Sequence, residues 1–295
     1  MELSQCSKWK GIAHDTALPD GTADDILLPW TGGALGLSDL NFITGRAKPI
    51  IVGIAGPESA GKTTLLAAWY LLLGRSLLTD NAWRFGGSFS LGGWEAVAAA
   101  LRWSPGQMPS FPAHTTSRGA RAPGLLHLAF RRMDDYLRDL LFADAPGEWF
   151  QRWSVDANAE DAEGARWIAQ HADVLLLVAD RQALSGSRLG SARNAFQLLA
   201  TRIAAERRGR PVALVWTKAD VGVAPEMEGR IRQAVISAIP DAAEFSVSIL
   251  SADGGDVGAG FQELFHWVLG THRPGTQLPL AAPSGHDPLF VFGRR

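Results

Sequence analysis

The chain has 295 residues, 28 Lys and Arg against 30 Asp and Glu, a net charge of −2 and 46% apolar residues. That is enough apolar material for a sizeable core, and the near-neutral balance gives no electrostatic case for nucleic acid or an anionic membrane as partner. One cysteine, Cys6, excludes an intramolecular disulfide; with no basic-then-apolar start over residues 1–5 and no apolar run long enough to span a bilayer, a cytoplasmic setting is the default expectation.

Residues 1–48 are rich in Gly and Asp, with Leu27-Leu28-Pro29-Trp30 as the main apolar knot, and read as an irregular arm that either packs on the domain or meets a partner. Next, Ile50-Ile51-Val52-Gly53-Ile54-Ala55 reads as a buried strand and residues 64–73 as an apolar helix. Between them, Gly56-Pro57-Glu58-Ser59-Ala60-Gly61-Lys62-Thr63 completes the phosphate-loop pattern GxxxxGK[ST]. The chemistry explains the residue types. Glycines at 56 and 61 let backbone N–H groups approach phosphate oxygens, Lys62 adds a mobile positive charge near the terminal phosphates, and the Thr63 hydroxyl suits magnesium. The helix N-terminus from Thr64 onward faces the anion, so Gly56, Glu58, Ser59, Ala60, Gly61, Lys62, Thr63 and Thr64 are the expected nucleotide-binding run. A chance glycine-rich turn does not account for a strand before and a helix after.

Residues 75–113 carry Trp83, Phe85, Phe89, Trp94 and Trp103 and a short helix over 94–101. That aromatic density needs burial, so this insertion packs on its own domain or forms a recognition surface beside the site. Residues 124–130 and 138–142 read as an antiparallel hairpin. The second strand runs into Asp144-Ala145-Pro146-Gly147-Glu148, a DxPG box in which Asp144 is expected to hold magnesium through water and the Gly147 N–H to meet the terminal phosphate. A Pro-Gly turn ending a strand is the plain alternative.

A helix over 159–170, an almost wholly apolar strand over 173–179 and a helix over 193–207 follow. The basic run Arg207-Arg208-Gly209-Arg210 reads as a solvated helix end. The strand over 211–216 delivers Thr217-Lys218-Ala219-Asp220, a variant of the NKxD box with which GTPases read guanine. A carboxylate at 220 accepts from the ring N–H and the exocyclic amino group of guanine together, whereas adenine offers neither donor there. Lys218 is expected to lay its stem along the purine face and reach back to the phosphate loop. A strand over 244–250 and a helix over 261–269 complete an alternating order, and the Pro-rich tail over 272–295 ends near Leu289-Phe290-Val291-Phe292.

In that order, GPESAGKT, DAPGE and TKAD resemble the translation-factor class of phosphate-loop GTPases, which includes Ras-like and elongation-factor domains. The resemblance covers residues 49–270, with 75–113 as an insertion, 1–48 as an arm and 271–295 as a flexible tail. It implies an α/β fold: a doubly wound, mostly parallel sheet with one antiparallel edge strand and the ligand at the strand C-termini. It implies GTP or GDP with magnesium as ligand, and makes Lys62, Gly147, Glu148 and Thr116 the catalytic candidates. Ser251-Ala252-Asp253 is similar to the SAK loop that contacts the guanine oxygen, so Thr217, Lys218, Asp220, Ser251 and Ala252 form the base-binding set. A switch threonine that closes over magnesium would be Thr115 or Thr116, joining Thr63 and Asp144 around the metal.

One departure bears on rate. Where Ras-like domains carry glutamine and translation factors histidine, this chain has Glu148, and a second negative charge beside a polyanion is costly. Slow intrinsic hydrolysis, assisted by a partner or second copy, is the expectation. The very apolar first helix and the Phe85-Gly86-Gly87-Ser88-Phe89-Ser90-Leu91-Gly92-Gly93-Trp94 segment also resemble bacterial double-GTPase families assigned to conflict or signalling systems, which implies adaptor or effector proteins as partners. A nucleotide-binding scaffold that hydrolyses nothing and an ATP-using phosphate-loop enzyme are the alternatives; the sequence leaves the oligomeric state open.

Overall fold

A computed structural model describes residues 33–45, 47–80, 82–102, 123–250 and 258–271. Among them, seven strands form one sheet: β1 (Ile50–Ala55), β2 (Trp83–Gly87), β3 (Gly124–Arg132), β4 (Leu137–Asp144), β5 (Val174–Asp180), β6 (Val212–Thr217) and β7 (Ala243–Val247), in the order β2-β3-β4-β1-β5-β6-β7. The helices are α1 (Leu40–Thr44), α2 (Lys62–Gly74), α3 (Leu91–Ala98), α4 (Gly147–Val155), α5 (Glu163–His171), α6 (Arg181–Ser185), α7 (Leu189–Glu206), α8 (Pro225–Ala238) and α9 (Ala259–Gly270). Strands β4, β1, β5, β6 and β7 pair in parallel, while β3 pairs antiparallel with β4 and with β2. The expected doubly wound α/β sheet with an antiparallel edge is therefore present, and β2 extends that edge by one strand.

The central strands β1, β5 and β6 are almost wholly apolar up to their ends because both faces are covered. Successive residues of β5 divide between two cores: Leu175, Leu177 and Ala179 join one, Val174, Leu176 and Val178 the other. The first core takes Trp149, Phe150 and Trp153 of α4, Ile168 of α5, Phe196 and Ile203 of α7 and Ile231 of α8. The second takes Leu65 and Trp69 of α2, Trp94 of α3 and Phe265 of α9. Helices therefore lie on both sides, and the parallel strands end together at one edge.

Strand β2 and helices α1, α4, α6 and α8 add to the elements expected from sequence, α1 lying in the arm read as irregular. The first is a five-residue edge strand with two glycines, a pattern with little strand propensity of its own; the length of β3 supplies its partner. By contrast, α8 carries a legible signature: Pro225 in the first turn with Glu226 and Glu228, then Met227, Ile231 and Val235 on one buried face. The expected helix over 94–101 starts earlier, at Leu91, and ends in a 3-10 turn, Ala99–Leu101. Part of the expected arm packs on the domain, with Leu35 bridged to Leu125 and Leu35 and Ile43 both buried in the first core.

Two buried polar groups tie this edge together. Phe89 N–H donates to His127 Nδ1 at 3.0 Å, so the ring proton sits on Nε2 and donates to Asp139 at 2.9 Å. Arg138, buried, donates to Leu269 O and to Thr271 O at the C-terminus of α9 and lies 5.1 Å over the Trp83 ring. A cation there satisfies otherwise orphaned carbonyls and complements the helix dipole. Arg138→Met should therefore cost about 2–3 kcal/mol. Urea unfolding at constant slope would show it, and an unmoved midpoint would mean the contact contributes nothing.

Candidate functional site

The site is built where β1, β4, β5 and β6 end. Residues 56–61 turn out of β1 and enter α2 through two left-handed residues, Ser59 (φ 60°) and Gly61 (φ 83°). Close approach dictates the glycine at 56, since a Cβ would lie 2.9 Å from Val178 Cβ. Lys62 is buried, and its ammonium donates to Gly56 O at 3.1 Å and Pro57 O at 2.8 Å. Burial lowers its pKa to about 8, against the opposing pull of Asp144 and then Glu58.

Asp144 at the end of β4 faces Thr63, whose hydroxyl lies 3.5 Å from both carboxylate oxygens. A hydroxyl and a carboxylate so placed are an all-oxygen pair that suits a hard divalent cation, so the residues fit magnesium. Among the described residues there is no cluster of three or more His, Cys, Asp or Glu that would bind a metal without further ligands. Gly147 opens α4 against the phosphate loop so closely that a Cβ would sit 2.1 Å from Glu58 N. Glu148, next in the helix, is exposed, while Trp149, Phe150 and Trp153 anchor α4 in the first core.

From β6, the buried Thr217 hydroxyl donates to Ala60 O at 2.8 Å, so this strand end is fastened to the phosphate loop. The expected reach of Lys218 to that loop is not seen. Its ammonium instead pairs with Asp180 Oδ2 at 2.8 Å and donates to Gln182 Oε1 at 3.0 Å, because Asp180 ends the neighbouring strand with a nearly buried carboxylate. Asp220 is exposed and accepts from the Ser248 hydroxyl, which in turn accepts from Leu250 N–H at 3.1 Å.

The phosphate loop, Gly147 and the residues after β6 and β7 share one open cleft of about 460 Å³. Residues 58–65 and Gly147 line one end, and Gln182, Lys218, Asp220, Ser248 and Leu250 line the other. The size and the mixed lining suit a nucleotide-sized ligand. Thr115, Thr116, Ser251 and Ala252 lie outside the described residues. Ser248, three positions before the expected loop, is the hydroxyl the structure sets against Asp220, since β7 ends at Val247. Asp180 was also absent from the expected set, although an apolar strand ending in an acid, as at Asp144, is a signal that could have found it.

No helix among the described residues is long and apolar enough to cross a membrane. A family model described as Double-GTPase 2 matches residues 50–268. Among solved structures, a chain described as nucleolar GTP-binding protein 1 from Plasmodium falciparum is similar, with a TM-score of 0.40 and 13% identity over 75% of this chain and 86% of that one. No curated protein matches the chain.

Proposed function

Because the chain belongs to the Double-GTPase 2 family, we propose that its cleft binds a guanine nucleotide with magnesium and hydrolyses GTP to GDP as a switch. The observation that carries this reading is the continuity of the cleft from Lys62 to Asp220. The loop amides and the Lys62 ammonium take the phosphates, Gly147 N–H meets the terminal one, and the Asp220 carboxylate accepts from guanine. Thr63 and Asp144 would hold magnesium, which when bound supplies positive charge to the phosphate oxygens. Glu58 and Glu148, both exposed, add negative charge beside the phosphate loop. That supports slow turnover until a protein partner supplies a cation or a group that orients water. Adaptor or effector proteins would read the nucleotide state.

The test is a competition among GTP, GDP, ATP and XTP with magnesium. Asp220→Asn should weaken GTP by roughly tenfold to hundredfold and strengthen XTP, since an amide donates where the carboxylate accepted. An unchanged preference, or a preference for ATP in both proteins, would discard the guanine reading and leave only the phosphate loop.

A further inference from the structure

We propose that Asp180 is a positioning residue for base recognition: its carboxylate holds the Lys218 ammonium and so keeps that ammonium off Asp220, the acid that meets the base. The inference rests on the guanine reading of the cleft. Strand β5 is apolar from Val174 to Ala179 and places its one acid at the last position, 6% exposed, beside the end of β6. There the carboxylate is used on both sides. Oδ1 accepts from Gln182 N–H at 2.9 Å and Ala183 N–H at 3.3 Å, capping α6, while Oδ2 takes Lys218 at 2.8 Å.

Lys218 has a second acid close in sequence. It adopts a left-handed backbone (φ 54°), and Val221 N–H donates back to Lys218 O at 2.9 Å, so the chain turns sharply through Asp220. Both side chains line the same cleft. The competition for the ammonium favours Asp180, which is shielded from solvent and fixed by its cap, over Asp220, which is exposed and screened. The Gln182 carbonyl adds a neutral bond to the same nitrogen. Without the Asp180 charge, the remaining anion within the turn is Asp220, and a guanine would have to displace the lysine before it could bind.

Asp180→Asn isolates the charge, because asparagine caps a helix about as well as aspartate. Binding of GDP with magnesium would be measured beside binding of inorganic tripolyphosphate, which uses only the phosphate end. We expect Asp180→Asn to weaken GDP roughly tenfold or more while tripolyphosphate changes by less than about twofold. In a Lys218→Met background, Asp180→Asn should cost GDP less than about twofold more, since the acid acts through the lysine. GDP binding equal to wild type, equal losses on both probes, or losses that add fully in the double variant would each overturn the proposal. A wild-type protein that binds tripolyphosphate but not GDP would fail differently, by removing the guanine reading on which this inference stands.

Discussion

Lys62→Met is expected to abolish binding of the triphosphate and, at pH 7, to make the nucleotide-free protein more stable. The two effects share one cause. The Lys62 ammonium is buried in the fold, and burial lowers its pKa from 10.5 to about 8. A lysine whose folded pKa lies below its unfolded one binds its proton less well in the fold, so its charge opposes folding. That penalty, of order 3 kcal/mol, is fully present below about pH 8 and fades as pH rises toward the unfolded pKa. Methionine removes it but also loses the bonds to Gly56 O and Pro57 O, leaving a net gain of about 1–2 kcal/mol at pH 7. Denaturant midpoints of both proteins at pH 7 and pH 10.5 would read it: the gap should shrink at the higher pH. A variant less stable than wild type at pH 7 would show that the two carbonyl bonds outweigh desolvation. The same pKa sets a profile for the wild-type protein. Nucleotide affinity should be flat below pH 8 and fall roughly tenfold per unit above it, because the bound phosphates need the protonated amine.

Gly147→Ala should cripple the site with a single methyl. The added Cβ would lie 2.1 Å from Glu58 N, 2.4 Å from Pro57 C and 2.5 Å from Glu58 Cα, all backbone atoms that cannot swing aside. Either the phosphate loop or the start of α4 must move, and α4 is held by Trp149, Phe150 and Trp153 in the core. The loop therefore gives way. GTP affinity is expected to fall roughly hundredfold, with destabilisation of about 1–3 kcal/mol from overpacking. Gly74→Ala is the control: nothing lies within 4 Å of its added Cβ at the end of α2, so that change should be neutral or slightly stabilising. If Gly147→Ala binds GTP as wild type does, the contact between the DxPG turn and the phosphate loop is not the constraint it looks to be.

What could be read in the sequence was what a short window encodes. The phosphate loop follows from glycines and a lysine at fixed spacing within eight residues, and the DxPG and TKAD turns from apolar strands that end in polar groups. The apolar run of β5 announces a strand covered on both faces, and the alternation of strands and helices fixes the fold class. Helix α8 was not among the expected elements, although its proline, acidic first turn and four-residue apolar spacing are an equally local signal.

The tertiary structure decided which of these strand ends touch. Thr217 fastens to Ala60 across 157 residues of sequence, and Lys218 turns from the phosphate loop to Asp180, 38 residues away, because sheet order sets β5 beside β6. Ser248 meets Asp220 because β7 stops at Val247, an end point set by pairing with β6 rather than by its own composition. Strand β2 exists because β3 is long enough to pair with it. Propensity and motif spacing act along the chain, whereas charge pairing, close approach and strand ends depend on neighbours that only the folded sheet brings together.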